Sequence, residues 1–317
     1  MGKSGAKMPV VTAPGKVFLA GEYSVLAGGP AVVSTVGVHA MASIVKAGAR
    51  RERQAAFVDA IVRALAPRIQ TRLRRAGQRI SLDLGAFYSG RAKMGIGSSA
   101  AGVAAVAGLV RVLSDGSVGR RDVLARRCAE LHRRLQDGLG SGADAAACCR
   151  GGVIRFRMPA TVRALPAPGW VHGVAVALGA GGRTKRVLAQ HARRYDDGDR
   201  RILLNIEVFA EAAEMVIDAL EREDWHTLRL GVNLTAAAYE ELSDILDAEL
   251  VTASDRRLMK TARRMNGVSR PSGAGGGDLH VAFFPDPRSA ARFTRWATSR
   301  SHPVIPITPD PLGTHLA

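Results

Sequence analysis

From Ser98 to about Leu113 the chain reads Ser-Ser-Ala-Ala-Gly-Val-Ala-Ala-Val-Ala-Gly-Leu-Val-Arg-Val-Leu. It has helical length, small side chains and one charge. A helix without a polar face has nothing to offer water and must lie at the centre of a fold, enclosed by other elements. Asp115-Gly116 ends it. Any fold proposed for this chain has to bury that helix.

Sheets and further helices are available to do so. Val17 to Ala20 and Ala31 to Val36 are short apolar runs that predict strands, and Val38 to Val45 predicts a third. Phe57, Ile61 and Leu65 recur at helical spacing within Gln54 to Leu65. Ile80, Leu82 and Leu84 alternate with Ser81 and Asp83, as in a half-buried strand. A charged helix follows over Arg120 to Leu135, then a strand over Val153 to Phe156. Thr161 to Trp170, with Pro166 and Pro168, predicts a linker. Beyond it come a strand (Gly173 to Leu178) and helices over Lys185 to Tyr195, Arg200 to Leu220, Trp225 to Ser243 and Thr252 to Arg264. A strand (Leu279 to Phe284) and a helix (Arg288 to Ser299) close the pattern. Strands and helices are mixed in both halves, so the class is α/β or α+β.

Composition narrows the function. With 317 residues and 47% hydrophobic content, the chain is long enough for roughly two domains. No uninterrupted apolar run reaches the ~18 residues of a membrane span. Three cysteines, two adjacent (Cys148 and Cys149), give neither a disulfide framework nor a metal cluster. A reducing, cytoplasmic setting without a membrane partner is expected. The net charge is +17, but only seven of the 45 basic residues are lysines. The arginine bias runs along the whole sequence, and aromatic residues are 5%, so few are available for base stacking. A nucleic-acid partner is therefore not expected.

Three glycine-rich loops carry the chemistry. The first is Ala13-Pro14-Gly15-Lys16, running through a strand to Gly21-Glu22-Tyr23. The second, Gly95-Ile96-Gly97-Ser98-Ser99-Ala100, opens the buried helix. The third is Pro271-Ser272-Gly273-Ala274-Gly275-Gly276-Gly277-Asp278. A glycine turn feeding a helix presents free N–H groups to an anion, and the helix dipole adds to the attraction. The second loop is thus a candidate phosphate cradle, with Ser98 or Ser99 in position to reach Mg²⁺. It matches G-x-G-x-x-A, but Arg91 to Met94 before it is no buried strand, so a dinucleotide fold is rejected. Neither a Walker A sequence nor a G-x-S-x-G elbow is present.

In this order the three loops resemble the GHMP kinases, which act on galactose, homoserine, mevalonate and phosphomevalonate. Tyr23 after Gly21-Glu22, Lys93-Met94 before the second loop and Asp278 closing the third resemble the phosphomevalonate kinase branch. Gly140-Ser141-Gly142-Ala143-Asp144, Gly151-Gly152 and, more loosely, Arg183-Thr184-Lys185 fit as well. The resemblance implies an α+β fold of two domains. Residues 1–165 would form a ribosomal-protein-like ATP-binding unit with a left-handed βαβ crossover, and residues 166–317 a ferredoxin-like unit. It implies ATP and Mg²⁺ as cofactors and phosphoryl transfer to phosphomevalonate.

By the same resemblance, Lys93 and Gly95, Ile96, Gly97, Ser98, Ser99 and Ala100 would bind ATP, with Ser99 on the metal. Lys16 and Asp144 would be catalytic. Lys16, Glu22, Tyr23, Ser141, Gly142, Arg183, Thr184, Lys185, Ser272, Gly273, Ala274 and Gly275 would bind the acceptor.

Several points stay open. Lys16 in an apolar strand could simply snorkel, and Asp144 could be a carboxylate near a helix start. As a functional group, Asp144 fits a base or an orienting role. A Glu that many of these kinases use as a metal ligand falls here at His132, a packing or surface residue on its own terms. Glu130, Asp137, or Ser99 with water are the substitutes. Arg270 stands where a Lys is common, and Leu279-His280 departs from the usual continuation. Mevalonate or another small alcohol as acceptor, or a non-catalytic binding protein of this fold, are the alternatives. The oligomeric state, monomer or homodimer, is open.

Overall fold

The computed structural model describes residues 8–48, 54–179 and 184–317, apart from the Thr184 side chain. Two antiparallel sheets organise these residues. The first is built on two long strands, β1 (Val10–Ala20) and β2 (Ala31–Lys46), paired along most of their length. The other edge of β2 is shared end to end. β6 (Val153–Arg157) pairs with its start and β3 (Gln78–Asp83) with its finish. β7 (Thr161–Leu165) extends the sheet beyond β6. On the far side β12 (His315–Leu316) returns to pair with β1. A two-stranded hairpin, β4 (Tyr88–Ser89) and β5 (Ala92–Lys93), leads to the second glycine loop.

The second sheet has the order β11-β8-β10-β9, from Val304–Pro306, His172–Ala177, Leu279–Phe284 and Val268–Ser272. Helices α9 (Ala253–Arg264) and α10 (Pro287–Thr298) cover one face, burying Leu258, Ala262 and Phe293 against Val174, Val176 and Phe284. Helices α6 (Thr184–Asp196), α7 (Arg200–Arg222) and α8 (Trp225–Leu246) form a separate cluster around Phe209, Tyr239 and Leu242, which Tyr23 joins. The architecture is α+β.

The helix that constrained the fold is α3 (Ser98–Asp115). Every residue from Ala100 to Val110 is buried, against β1, β2 and helices α1 (Ala55–Leu65), α4 (Arg121–Leu135) and α5 (Ala143–Arg150). By length and composition it could also cross a bilayer, a qualification that inspection of uninterrupted apolar runs missed; 61% of it is buried inside the protein.

Two expectations are corrected, and one helix is added. The predicted break between Val36 and Val38 is absent. The pairing with β1 shifts between Pro14 and Gly15, so two residues of β2 are passed over and the strand continues. Thr161–Leu165 is a strand rather than linker, because Pro166 and Pro168 follow it instead of interrupting it. A helix α2 (Pro67–Arg75) was not anticipated; its apolar stripe is only Ile69 and Leu73 among arginines.

Candidate active site

The three glycine loops meet in a cleft of about 600 Å³. Lys16 lies on β1 immediately after the register shift, and its backbone N–H donates to the Ile96 carbonyl at 2.9 Å. That bond ties the first loop to the second. The aliphatic stem of Lys16 then crosses Gly97. A Cβ at Gly97 would lie 2.7 Å from Lys16 Cε, and Gly97 sits at φ +81°, so both space and backbone require glycine there. The ammonium ends 2.9 Å from Asp144 Oδ2 and 4.8 Å above the centre of the Phe18 ring.

Gly97 is the N-cap of α3. No side chain caps the helix and its first turn holds no acidic residue. The N–H groups of that turn are therefore left to the cleft, which Ser98 and Ser99 line. Asp144 stands in the first turn of α5, where the helix dipole favours negative charge. Its helix starts at Gly142 (φ +83°), where a Cβ would fall 2.4 Å from the Ala129 carbonyl oxygen. Ser141 Oγ accepts from the Ala143 N–H. Burial alone would raise the Asp144 carboxyl, but the charges of Lys16 and His132 and the Lys16 hydrogen bond hold it below the ordinary carboxylate range.

His132 is not at the surface. It is buried on α4 with Nε2 3.2 Å from Ser99 Oγ, and its Nδ1 has no partner. Burial lowers its pKa, with Asp144 opposing and Lys16 adding to the effect. Glu130 pairs with Arg134 and Asp137 with Lys185, and neither lines the cleft.

The third loop is braced from behind. Arg270, wholly buried, donates to Glu22 Oε1 at 2.6 Å and to the Phe18 carbonyl at 3.2 Å. Ser272 Oγ donates to the same Phe18 carbonyl at 3.0 Å. Tyr23 and Tyr239 donate their hydroxyls to the carbonyls of Ala274 and Gly273, at 2.8 and 2.5 Å. Burial pushes both phenols well above their ordinary pKa. Glu22 and Tyr23, expected to bind an acceptor, line the cleft, but the Tyr23 hydroxyl and Glu22 Oε1 are spent on this loop and on Arg270, while Glu22 Oε2 has no partner.

The cleft gathers Lys16, Glu22, Tyr23, Lys93, Gly95, Ile96, Gly97, Ser98, Ser99, Ser141, Asp144, Ser272, Gly273 and Ala274. Ala100 and Gly142 are buried behind its wall, and Gly275 packs on Leu250. Lys185 pairs with Asp137 at 3.0 Å on the exposed surface, outside the lining. Arg183 and the Thr184 side chain lie outside the described residues. Sequence reasoning missed Arg91, Gln136, Leu188 and Asp278, all in the lining. Asp278 was quoted as the end of the third loop but given no role, and Arg91 stood just before Lys93 and the second loop, which was the available signal. Burial raises the Asp278 carboxyl, against the pull of Lys16 and Lys93. Among the described residues no group of three metal-binding side chains occurs.

Residues 55–152 match the GHMP kinases N terminal domain. A phosphomevalonate kinase from Streptomyces sp. (strain CL190) is 28% identical, with 96% of this chain and 98% of that protein aligned. The Lin0012 protein from Listeria innocua shares the fold at TM-score 0.83 and 18% identity, covering 98% of this chain and 99% of that one. Streptococcus pneumoniae phosphomevalonate kinase, solved in complex with phosphomevalonate and AMPPNP, does so at TM-score 0.75 and 16% identity, covering 97% and 99%. By sequence over residues 55–152 and by fold along nearly its whole length, the chain is similar to these kinases, and its three glycine loops converge on one cleft.

Proposed function

We propose that this chain transfers the γ-phosphoryl group of ATP to phosphomevalonate, giving diphosphomevalonate and ADP. The observation that carries this reading is the Lys16–Asp144 pair at the meeting of the loops. An alcohol acceptor must lose a proton, which asks for a base. A carboxylate held below its ordinary pKa and already bonded to an ammonium is a weak base. A phosphate monoester, with a second pKa of about 6, is already largely dianionic at neutral pH. Its difficulty is repulsion from the ATP phosphates, and a buried cation such as Lys16 relieves it. The Streptomyces relative, aligned along nearly the whole chain, supports the same acceptor.

In this reading an acceptor phosphate oxygen attacks the γ-phosphorus in line, and the bond to the β,γ-bridging oxygen breaks. Lys16 holds the attacking and transferred groups together, and Asp144 fixes the Lys16 ammonium. The free N–H groups at the start of α3 receive the ATP phosphates. Ser141 and the loop from Ser272 to Ala274 face the acceptor side. Magnesium takes oxygen ligands, and the lining offers Ser99 Oγ and carboxylates, a donor set that fits the ion together with nucleotide phosphates. When bound, the ion neutralises charge on those phosphates.

A coupled ADP-release assay with ATP and Mg²⁺ tests the reading, with phosphomevalonate, mevalonate and no acceptor side by side. Turnover is expected with phosphomevalonate. Turnover on mevalonate alone would overturn the acceptor, and no turnover on either would overturn the assignment to this branch.

A further inference from the structure

Three carboxylates line the cleft, and two are already committed. Glu22 is bonded to Arg270 and Asp144 to Lys16. Asp278, at the end of the third loop, differs from both. Among the described residues its side chain makes no hydrogen bond and no ion pair, although Lys16 and Lys93 act on it through space. It is only partly buried and open to the cleft. It also packs against Gly95, the first glycine of the second loop. A Cβ at Gly95 would lie 3.2 Å from each of the three carboxyl-group atoms. The two loops thus close on one another across this carboxylate, and Gly95 is small enough to let them.

A bare carboxylate there works against the anions that the helix N–H groups and lysines attract. A divalent cation resolves the conflict. Ser99 Oγ lies 3.2 Å from the His132 imidazole, and magnesium prefers oxygen to nitrogen. Glu22 has a free oxygen, Oε2, but that side chain is sealed at 3% exposure, whereas Asp278 is the cleft carboxylate with neither oxygen bonded. We propose that Asp278 is the carboxylate by which this chain holds the divalent cation of a metal–nucleotide complex, with Ser99 Oγ as the other protein oxygen. The proposal rests on the reading of the cleft as an ATP site.

The test uses Mn²⁺ as a paramagnetic probe, titrated into the full chain with ADP and followed by electron paramagnetic resonance; metal-free ADP binding is measured by calorimetry. Asp278→Asn is expected to weaken Mn²⁺ retention in the ternary complex at least about tenfold. Metal-free ADP should bind as well as before or better, since a repelling charge is gone. Asp278→Ser replaces that variant if Asn does not fold. His132→Gln should leave Mn²⁺ retention within about twofold. Unchanged Mn²⁺ retention in Asp278→Asn, or its loss in His132→Gln alone, would overturn the assignment. A wild-type protein that binds neither ADP nor Mn²⁺–ADP would overturn the ATP reading itself and the assignment with it.

Discussion

Lys16–Asp144 and Arg270–Glu22 are two ion pairs at one cleft, 2.9 and 2.6 Å long. They differ in what surrounds them. Arg270 and Glu22 are sealed, at 0% and 3% exposure, and their bonds reach the backbone of β1 and of the third loop. Asp144 keeps 24% exposure, toward the cleft. Arg270 is a planar donor suited to several fixed acceptors; Lys16 is a single ammonium on a stem laid across Gly97. The sealed pair holds a loop in place, whereas the open pair is left able to exchange partners when an anion arrives.

Breaking each pair should therefore damage a different property. Arg270→Met leaves the buried Glu22 without its cation. A loss of about 3–5 kcal/mol of stability is expected, read in denaturant unfolding, with much of it regained when Glu22→Gln is added. Lys16→Met is expected to lower kcat by about 10²–10³ while the unfolding midpoint moves little. If Lys16→Met unfolded the protein as Arg270→Met does, the contrast between the pairs would fail.

Acid offers a milder probe of the cluster behind the sealed pair. His191 is buried 4.9 Å from the Tyr23 ring, and burial lowers its pKa from 6.5 to about 4. Above pH 6.5 it is neutral whether folded or not. Below that, the unfolded chain takes up a proton that the folded one refuses. Stability should fall progressively between pH 6.5 and about 4, by about 3 kcal/mol from this residue. His191→Phe should flatten that slope in melts across the range. The smallest effect is expected from Tyr239→Phe, which removes one bond to the third loop. About 1 kcal/mol of stability and a raised acceptor KM would mark loosening of the loop without loss of chemistry.

The open pair was more legible in the sequence than the sealed one. Lys16, Gly97 and Asp144 sit in short glycine motifs whose spacing is local, and α3 announced its burial by composition. The sealed pair joins residues 248 apart in the chain, which no local pattern reveals. The Arg270 departure was visible, but its partner was not. His132 was ambiguous because α4 carries histidine among arginines; only packing against α3 brings it to Ser99. The strand Thr161–Leu165 was hidden by neighbouring prolines, and the continuity of β2 by a register shift that depends on its partner.

In the proposed reaction Lys16 serves an anionic acceptor by charge, and Asp144 serves Lys16 rather than removing a proton. The most direct test is steady-state turnover of phosphomevalonate by Asp144→Asn and Lys16→Met, measured together against wild type at neutral pH. Asp144→Asn should keep its rate within about tenfold of wild type, with Lys16→Met at least tenfold slower again. An Asp144→Asn enzyme as slow as Lys16→Met, or slower, would contradict the account and make Asp144 a base.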